Sequence, residues 1–221
     1  MKKLLEENVD FDRIRRQNKI KFFVCATDVR TAKVKVFTAD TLRADHVLAS
    51  TCLPMLMHAV EIDGEYYWDG GYAGNPALFP LVYECESRDI VMVHITPADR
   101  AEVPTTSLGI MNRMQEISFN TSLIREMRGI AFVNKRIDEG KMTGGKTILM
   151  HLIEAQDVFR DLTASSRLNG DWDFLSHLYE IGRDRADRWL AVNFNTLAAN
   201  PPSIFRKSIF DCGEPLQRLW R

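Results

Sequence analysis

Residues 59–76 read AVEIDGEYYWDGGYAGNP, and the organisation of the chain follows from this stretch. Ala59–Ile62 and Glu65–Trp68 are short apolar and aromatic runs on either side of Asp63-Gly64. Asp-Gly is a preferred two-residue hairpin turn because both positions need φ > 0. The spacing therefore predicts an antiparallel hairpin with Asp69 at its far end. Gly70, Gly71 and Gly74 follow within five residues, which implies a tight backbone around one carboxylate. Asn75-Pro76 is expected to serve as N-cap and first residue of a helix, one that Pro80 keeps short or irregular.

Working outward, Lys21–Thr27 (KFFVCAT) reads as a buried strand, and Ala32–Phe37 (AKVKVF) alternates as a half-exposed neighbour would. Arg43–Cys52 places Ala44, Val47, Leu48 and Thr51 at helical spacing, and Pro54 ends that helix. Asp89–Thr96 (DIVMVHIT) is a continuous apolar run, expected to be a central strand buried on both faces. After a linker-like stretch at Pro97–Pro104, apolar residues from Ile110 to Ile137 recur in steps of three and four. They predict one long amphipathic helix, or two short ones, over Ser107–Glu139. Lys146–Ile153 reads as a strand and Trp172–Ala198 as a charged helix. Asn200-Pro201-Pro202 opens an irregular end.

Composition narrows the classes. The 221 residues carry 29 Lys plus Arg against 30 Asp plus Glu, a net charge of −1, with 45% hydrophobic residues. This is a globular balance and gives no electrostatic support for a nucleic-acid partner. No apolar run approaches the ~18 residues of a spanning helix. Met1–Arg16 carries charge where a signal peptide would be apolar. Cys25, Cys52, Cys85 and Cys212 are widely spaced, as free core thiols are, so a reducing, cytoplasmic setting is expected.

Several constellations compete with Asp69. Gly140–Thr147 (GKMTGGKT) matches the phosphate-loop pattern letter for letter, but a helix precedes it and a strand-like run follows. A phosphate loop needs the reverse order, so that a helix N-terminus faces the phosphates. A glycine-rich helix-to-strand connection is the expected reading. The five histidines form no HxH or HxxxH pair, so a bound metal is not expected. Cys52 and His58 could pair as nucleophile and base, but nothing in the sequence orients them. Asp69 itself is either a plain turn residue or a general base held at a rigid strand end, with glycines giving a substrate close access.

Ala49-Ser50, Pro54, Gly64, Trp68-Asp69-Gly70-Gly71, Asn75-Pro76 and the run Ile90–Ile95, in this order and spacing, resemble the C-terminal half of a patatin-like phospholipase domain. The DG[GA] motif of that family falls on Asp69, Gly70 and Gly71. Cys25–Thr31 (CATDVRT) is similar to the strand-to-loop segment of bacterial members, and the region after Pro97 resembles their helical extension. The resemblance implies an α/β fold, a three-layer α/β/α sandwich that is N-terminally incomplete here. Residues 1–96 would be the back half of the domain and residues 97–221 a mainly helical extension. It implies a lipid acyl hydrolase that cleaves carboxylic esters with a Ser–Asp dyad, no histidine and no cofactor. Asp69 takes the base role, with Gly70 and Gly71 as motif neighbours.

The chain departs from that pattern in having no GxSxG. A nucleophile elbow needs small neighbours on both sides of its serine. The nucleophile and the oxyanion loop are therefore expected upstream of residue 1, and the isolated chain is expected to be inactive. Expected partners are a lipid or acyl-ester substrate and a membrane surface met peripherally; the sequence does not indicate an oligomeric state. The alternative is a non-catalytic interaction or membrane-surface module, with Ser107–Glu139 as its docking helix.

Overall fold

The computed structural model describes residues 1–197 apart from 18, 101, 160, 161, 163–165, 167 and 168. Cys212, the stretch Asn200-Pro201-Pro202 and the end of the expected helix at Ala198 lie outside the described residues. The chain divides into two compact units. One comprises Met1–Glu86 with Ile117–Glu126; the other comprises Ser87–Glu116 and Met127 onward.

The first unit opens with two short helices, α1 (Lys2–Asn8) and α2 (Phe11–Arg16). Asp10 caps α2 by accepting from the Arg13 amide at 2.8 Å. A four-stranded antiparallel sheet follows, built from β1 (Phe23–Asp28), β2 (Val34–Thr38), β3 (Val60–Ile62) and β4 (Glu65–Asp69) in the order β2-β1-β4-β3. The strand expected over Lys21–Thr27 becomes β1, central in this sheet, but it starts only at Phe23, and Ala26 and Thr27 are its buried residues while Lys21 and Phe22 stay exposed.

Helix α3 (Ala44–Ser50) covers one face of this sheet. Ala26, Phe37, Ala49, Ile62 and Tyr67 form the core between them, with Val24 and Val60 packed alongside. His46 completes it. Its ring stacks on Phe37 at 3.9 Å, and burial lowers its pKa, so it sits there as a neutral aromatic. Cys52 lies beyond the end of α3 rather than on it, and is fully buried all the same.

Asn75-Pro76 does not open a helix. That peptide bond is cis and lies in a turn, and α4 begins four residues after Asn75, spanning Phe79–Glu84. Pro80 sits in the first turn of α4, where its missing N–H leaves no bond unmade.

The second unit contains a parallel strand pair, β5 (Asp89–His94) and β6 (Leu149–Glu154), in register from Asp89↔Leu149 to His94↔Glu154. The expectation that this apolar run is buried on both faces is not met. Ile90, Met92 and His94 are buried while Val91, Val93 and Ile95 are exposed, so the run is half-buried with period two. Among the described residues β5 pairs only with β6, and its second face has no covering layer there. The buried His151 of β6 bonds through Nε2 to Asp89 Oδ1 at 2.7 Å and meets the Trp189 ring edge-on.

Helix α5 is a single element, Ser107–Asp138, and contributes to both units. Thr106 caps it, accepting from the Gly109 amide at 3.1 Å. In the second unit Asn134 bonds both backbone groups of Ile148, ahead of β6, at 2.8 and 2.9 Å. Helices α6 (Gln156–Phe159) and α7 (Trp172–Asn193) complete the described residues, α7 passing into a 3-10 turn at Phe194–Thr196.

Candidate active site

The β3–β4 turn has the geometry its sequence demands, with φ of 54° at Asp63 and 84° at Gly64. Arg43 grips the Asp63 carboxylate with two bonds of 2.8 Å, which holds the turn from the start of α3. From this end β4 runs back along β1 in the register Asp28↔Tyr67, Thr27↔Trp68 and Ala26↔Asp69. Asp69 is thus delivered to the end of β4, opposite the centre of β1.

Every backbone polar group of Asp69 is engaged. Its N–H donates to the Cys52 carbonyl at 2.8 Å. Its carbonyl accepts from the Thr27 hydroxyl at 2.8 Å. Its carboxylate Oδ1 accepts from the Gly71 amide at 2.7 Å and so caps the 3-10 turn Gly70–Tyr72. The side chain is half-buried. A carboxylate held in this way has little rotamer freedom left to lose on meeting a substrate.

The two glycines are there for space. A Cβ on Gly70 would stand 2.3 Å from the Cys25 carbonyl oxygen and 2.7 Å from its carbon, both backbone atoms of β1. A Cβ on Gly71 would stand 3.0 Å from the Phe119 ring and 3.1 Å from Asp69 Oδ1. The amides of Ala73 and Gly74 then fold back onto the Gly70 carbonyl at 3.0 and 2.8 Å.

One face of α5 supports the segment after Asp69. Phe119 packs edge-on against Tyr72, with ring centres 5.1 Å apart. The Ser122 hydroxyl accepts from the Asn75 amide at 3.1 Å. The Glu126 carboxylate accepts from the amides of Leu78 and Phe79 at 2.7 and 3.0 Å, at the start of α4. Burial pushes the Glu126 carboxyl up, with those two amides opposing the shift. Sequence reading missed these three residues. Their spacing of three and four on a helix was visible, but the partner of that face, some 45 residues upstream, has no local signature.

Cys52 and His58 do meet, though not as nucleophile and base. The thiol donates to the His58 backbone carbonyl at 3.1 Å. Burial raises the Cys52 pKa, and the Asp69 charge adds to the effect, which suits a structural thiol. Burial likewise raises Cys25.

The phosphate-loop look-alike connects α5 to β6, with positive φ at Gly140, Gly144 and Gly145. Its Lys146 donates to the Ser87 carbonyl at 3.0 Å. Among the described residues no cluster of three or more His, Cys, Asp or Glu could hold a metal ion. No described helix is long and apolar enough to cross a membrane.

A strand-end carboxylate, followed by two glycines in close quarters, thus sits on a mixed α/β scaffold. Residues 1–82 match the family model of the patatin-like phospholipases, and the match ends inside α4. The matched part resembles a patatin-like domain and includes Asp69, Gly70 and Gly71. No curated protein matches the chain.

Proposed function

We propose that the chain supplies the base half of a lipid acyl hydrolase, with Asp69 as the general base of a Ser–Asp dyad. The reading rests chiefly on the fixation of Asp69 at a strand end, followed by Gly70, which the Cys25 backbone keeps free of a side chain, and Gly71, which packs against the Phe119 ring. In the reaction the Asp69 carboxylate takes the proton of a serine hydroxyl as its oxygen attacks the ester carbonyl. Backbone amides hold the developing oxyanion, the alcohol departs with the proton, and water then hydrolyses the acyl-serine by the same base. Gly70 and Gly71 shape the site and take no proton.

The serine is the group these residues do not supply as an elbow, since no GxSxG occurs among the 221 residues. The proposal assigns it to a separate stretch of polypeptide, upstream or on another chain. Residues 1–96 then form the back half of a three-layer sandwich and residues 97–221 a mainly helical extension. The setting is cytoplasmic, and the substrate is an acyl-ester lipid.

The test is hydrolysis of short-chain, water-soluble esters. Residues 1–221 alone should show no turnover above background, because removing a nucleophile leaves little chemistry. The native polypeptide isolated with an antibody to the C-terminal region should hydrolyse them and should lose that activity on Asp69→Asn. Activity of the native protein that survives Asp69→Asn rejects the base assignment. Asp69-dependent turnover by residues 1–221 alone rejects the missing-serine assignment.

A further inference from the structure

Between Cys52 and His58 the chain makes a small closed loop. Its neck is the bond from the Cys52 thiol to the His58 carbonyl, at 3.1 Å. Its far end is an ordered turn, since the amides of Leu56 and Met57 both donate to the Leu53 carbonyl, at 3.0 and 2.9 Å. On this turn Met55, Leu56 and Met57 are 71%, 58% and 48% exposed. Scattered exposed apolar residues are ordinary in proteins. Three large ones in succession on a hydrogen-bonded projection are not, and they mark a contact surface.

The loop adjoins the candidate base. The carbonyl that receives the Asp69 amide belongs to Cys52, at the loop's neck, so the apolar tip and the carboxylate share one rigid support.

Size and chemistry together select the occupant. A stable protein–protein interface needs about 800 Å² from each partner, more than three side chains can offer. A lipid surface sets no such threshold and requires no matching shape. It takes up flexible apolar side chains such as the unbranched Met, and Leu beside it, easily. Residues 53–58 contain no Asp, Glu, Lys or Arg, so no charge would have to leave water. We propose that the Met55–Met57 tip inserts into a lipid surface and holds the Asp69 site against it. The purpose of this contact rests on the ester-lipid reading above; its detection does not.

The experiment is co-sedimentation of residues 1–221 with vesicles of ether-linked dialkyl phosphatidylcholine, which contain no ester bond. The wild-type chain should sediment with the vesicles. The triple variant M55S/L56S/M57S should partition at least about tenfold more weakly. Its thermal midpoint should be unchanged, because the three side chains are exposed in the free protein. Leu56→Trp should still bind, and its added emission should shift to shorter wavelength when vesicles are supplied.

Equal binding by the triple variant overturns the proposal. So does absence of wild-type binding; an oligomer of the wild-type chain that the triple variant loses would then assign the tip to a protein contact. Neither outcome bears on Asp69-dependent hydrolysis of soluble esters, so the two readings fail independently.

Discussion

The Asp69 carboxylate closes onto the Gly71 amide at 2.7 Å, across the turn that it caps. The bond uses one oxygen for structure and fixes where the whole carboxylate points. Substitutions at this position should therefore separate fold from chemistry. Asp69→Asn keeps an Oδ1 acceptor for Gly71 and should change unfolding free energy by less than about 1 kcal/mol. Asp69→Ala loses the cap and should cost about 0.5–2 kcal/mol. Urea unfolding of both variants checks this. An Asn variant as unstable as the Ala variant would show that the charge, not the acceptor, holds the turn.

Gly70 and Gly71 should respond differently to the same added methyl. At Gly70 the obstacle is the backbone of β1, which cannot move without disturbing the central strand. Gly70→Ala should destabilise by about 3 kcal/mol, at the upper end of overpacking costs. At Gly71 the obstacle is the Phe119 ring, a side chain that can shift. Gly71→Ala should cost roughly 1–2 kcal/mol, and Phe119→Leu should recover part of the loss. Denaturant midpoints of the two single variants and the double variant provide the comparison.

Glu126 should make stability depend on pH with an unusual sign. Burial raises its pKa in the folded chain above the unfolded value of about 4.3. The folded state then binds more protons than the unfolded state between those two pKa values. This group's contribution is most favourable below ~4.3 and declines as pH rises through the folded pKa. Glu126→Gln should remove that decline. Glu126→Ala leaves the Leu78 and Phe79 amides without their acceptor and should cost about 1–3 kcal/mol. Unfolding of wild type and Glu126→Gln across pH 4 to 8 isolates the group, because other carboxylates cancel in the difference.

Glu116 in the second unit should show the opposite sign. Burial alone would raise its pKa, but hydrogen bonds and charge from Arg100 and Arg113 outweigh burial and lower it. The Arg100 and Arg113 bonds are 2.5 and 3.1 Å, and the Glu116 side chain is only 5% exposed. Stability from this cluster is fully present above the unfolded pKa and is lost as pH falls through the lower folded one. Glu116→Gln should flatten the acid limb of the stability profile. The loss at pH 7 should be about 2 kcal/mol, below the value for a fully buried pair because both arginines are partly exposed.

Local structure was largely legible. The β3–β4 hairpin, α3 and the strand run ending at Thr27 follow from turn chemistry or periodicity, and periodicity marked α5 as helical without deciding between one long helix and two short ones. The misses have specific causes. Asn75-Pro76 carries helix-start residues, yet Ser122 and Glu126 hold the amides of Asn75, Leu78 and Phe79 and delay α4 to Phe79. Val91 and Val93 are as apolar as Ile90 and Met92. A continuous apolar run therefore could not reveal that β5 is buried on one face only.

Where the backbone must turn, and where Asp69 must fall, is written in neighbouring residues. Asp63-Gly64 is among the few dipeptides that accept two positive φ angles, and a two-residue turn fixes the register of everything after it. Those are constraints between neighbouring residues, written in adjacent letters. The reason Gly70 must lack a side chain emerges only on folding, since the obstacle is the Cys25 carbonyl across the sheet. Folding also decides that Phe119, Ser122 and Glu126 support the Asp69 turn, and that Met55–Met57 stand in water beside it. Such relations depend on which surfaces meet after the chain has folded, and they are summed over many weak contacts between residues far apart in sequence.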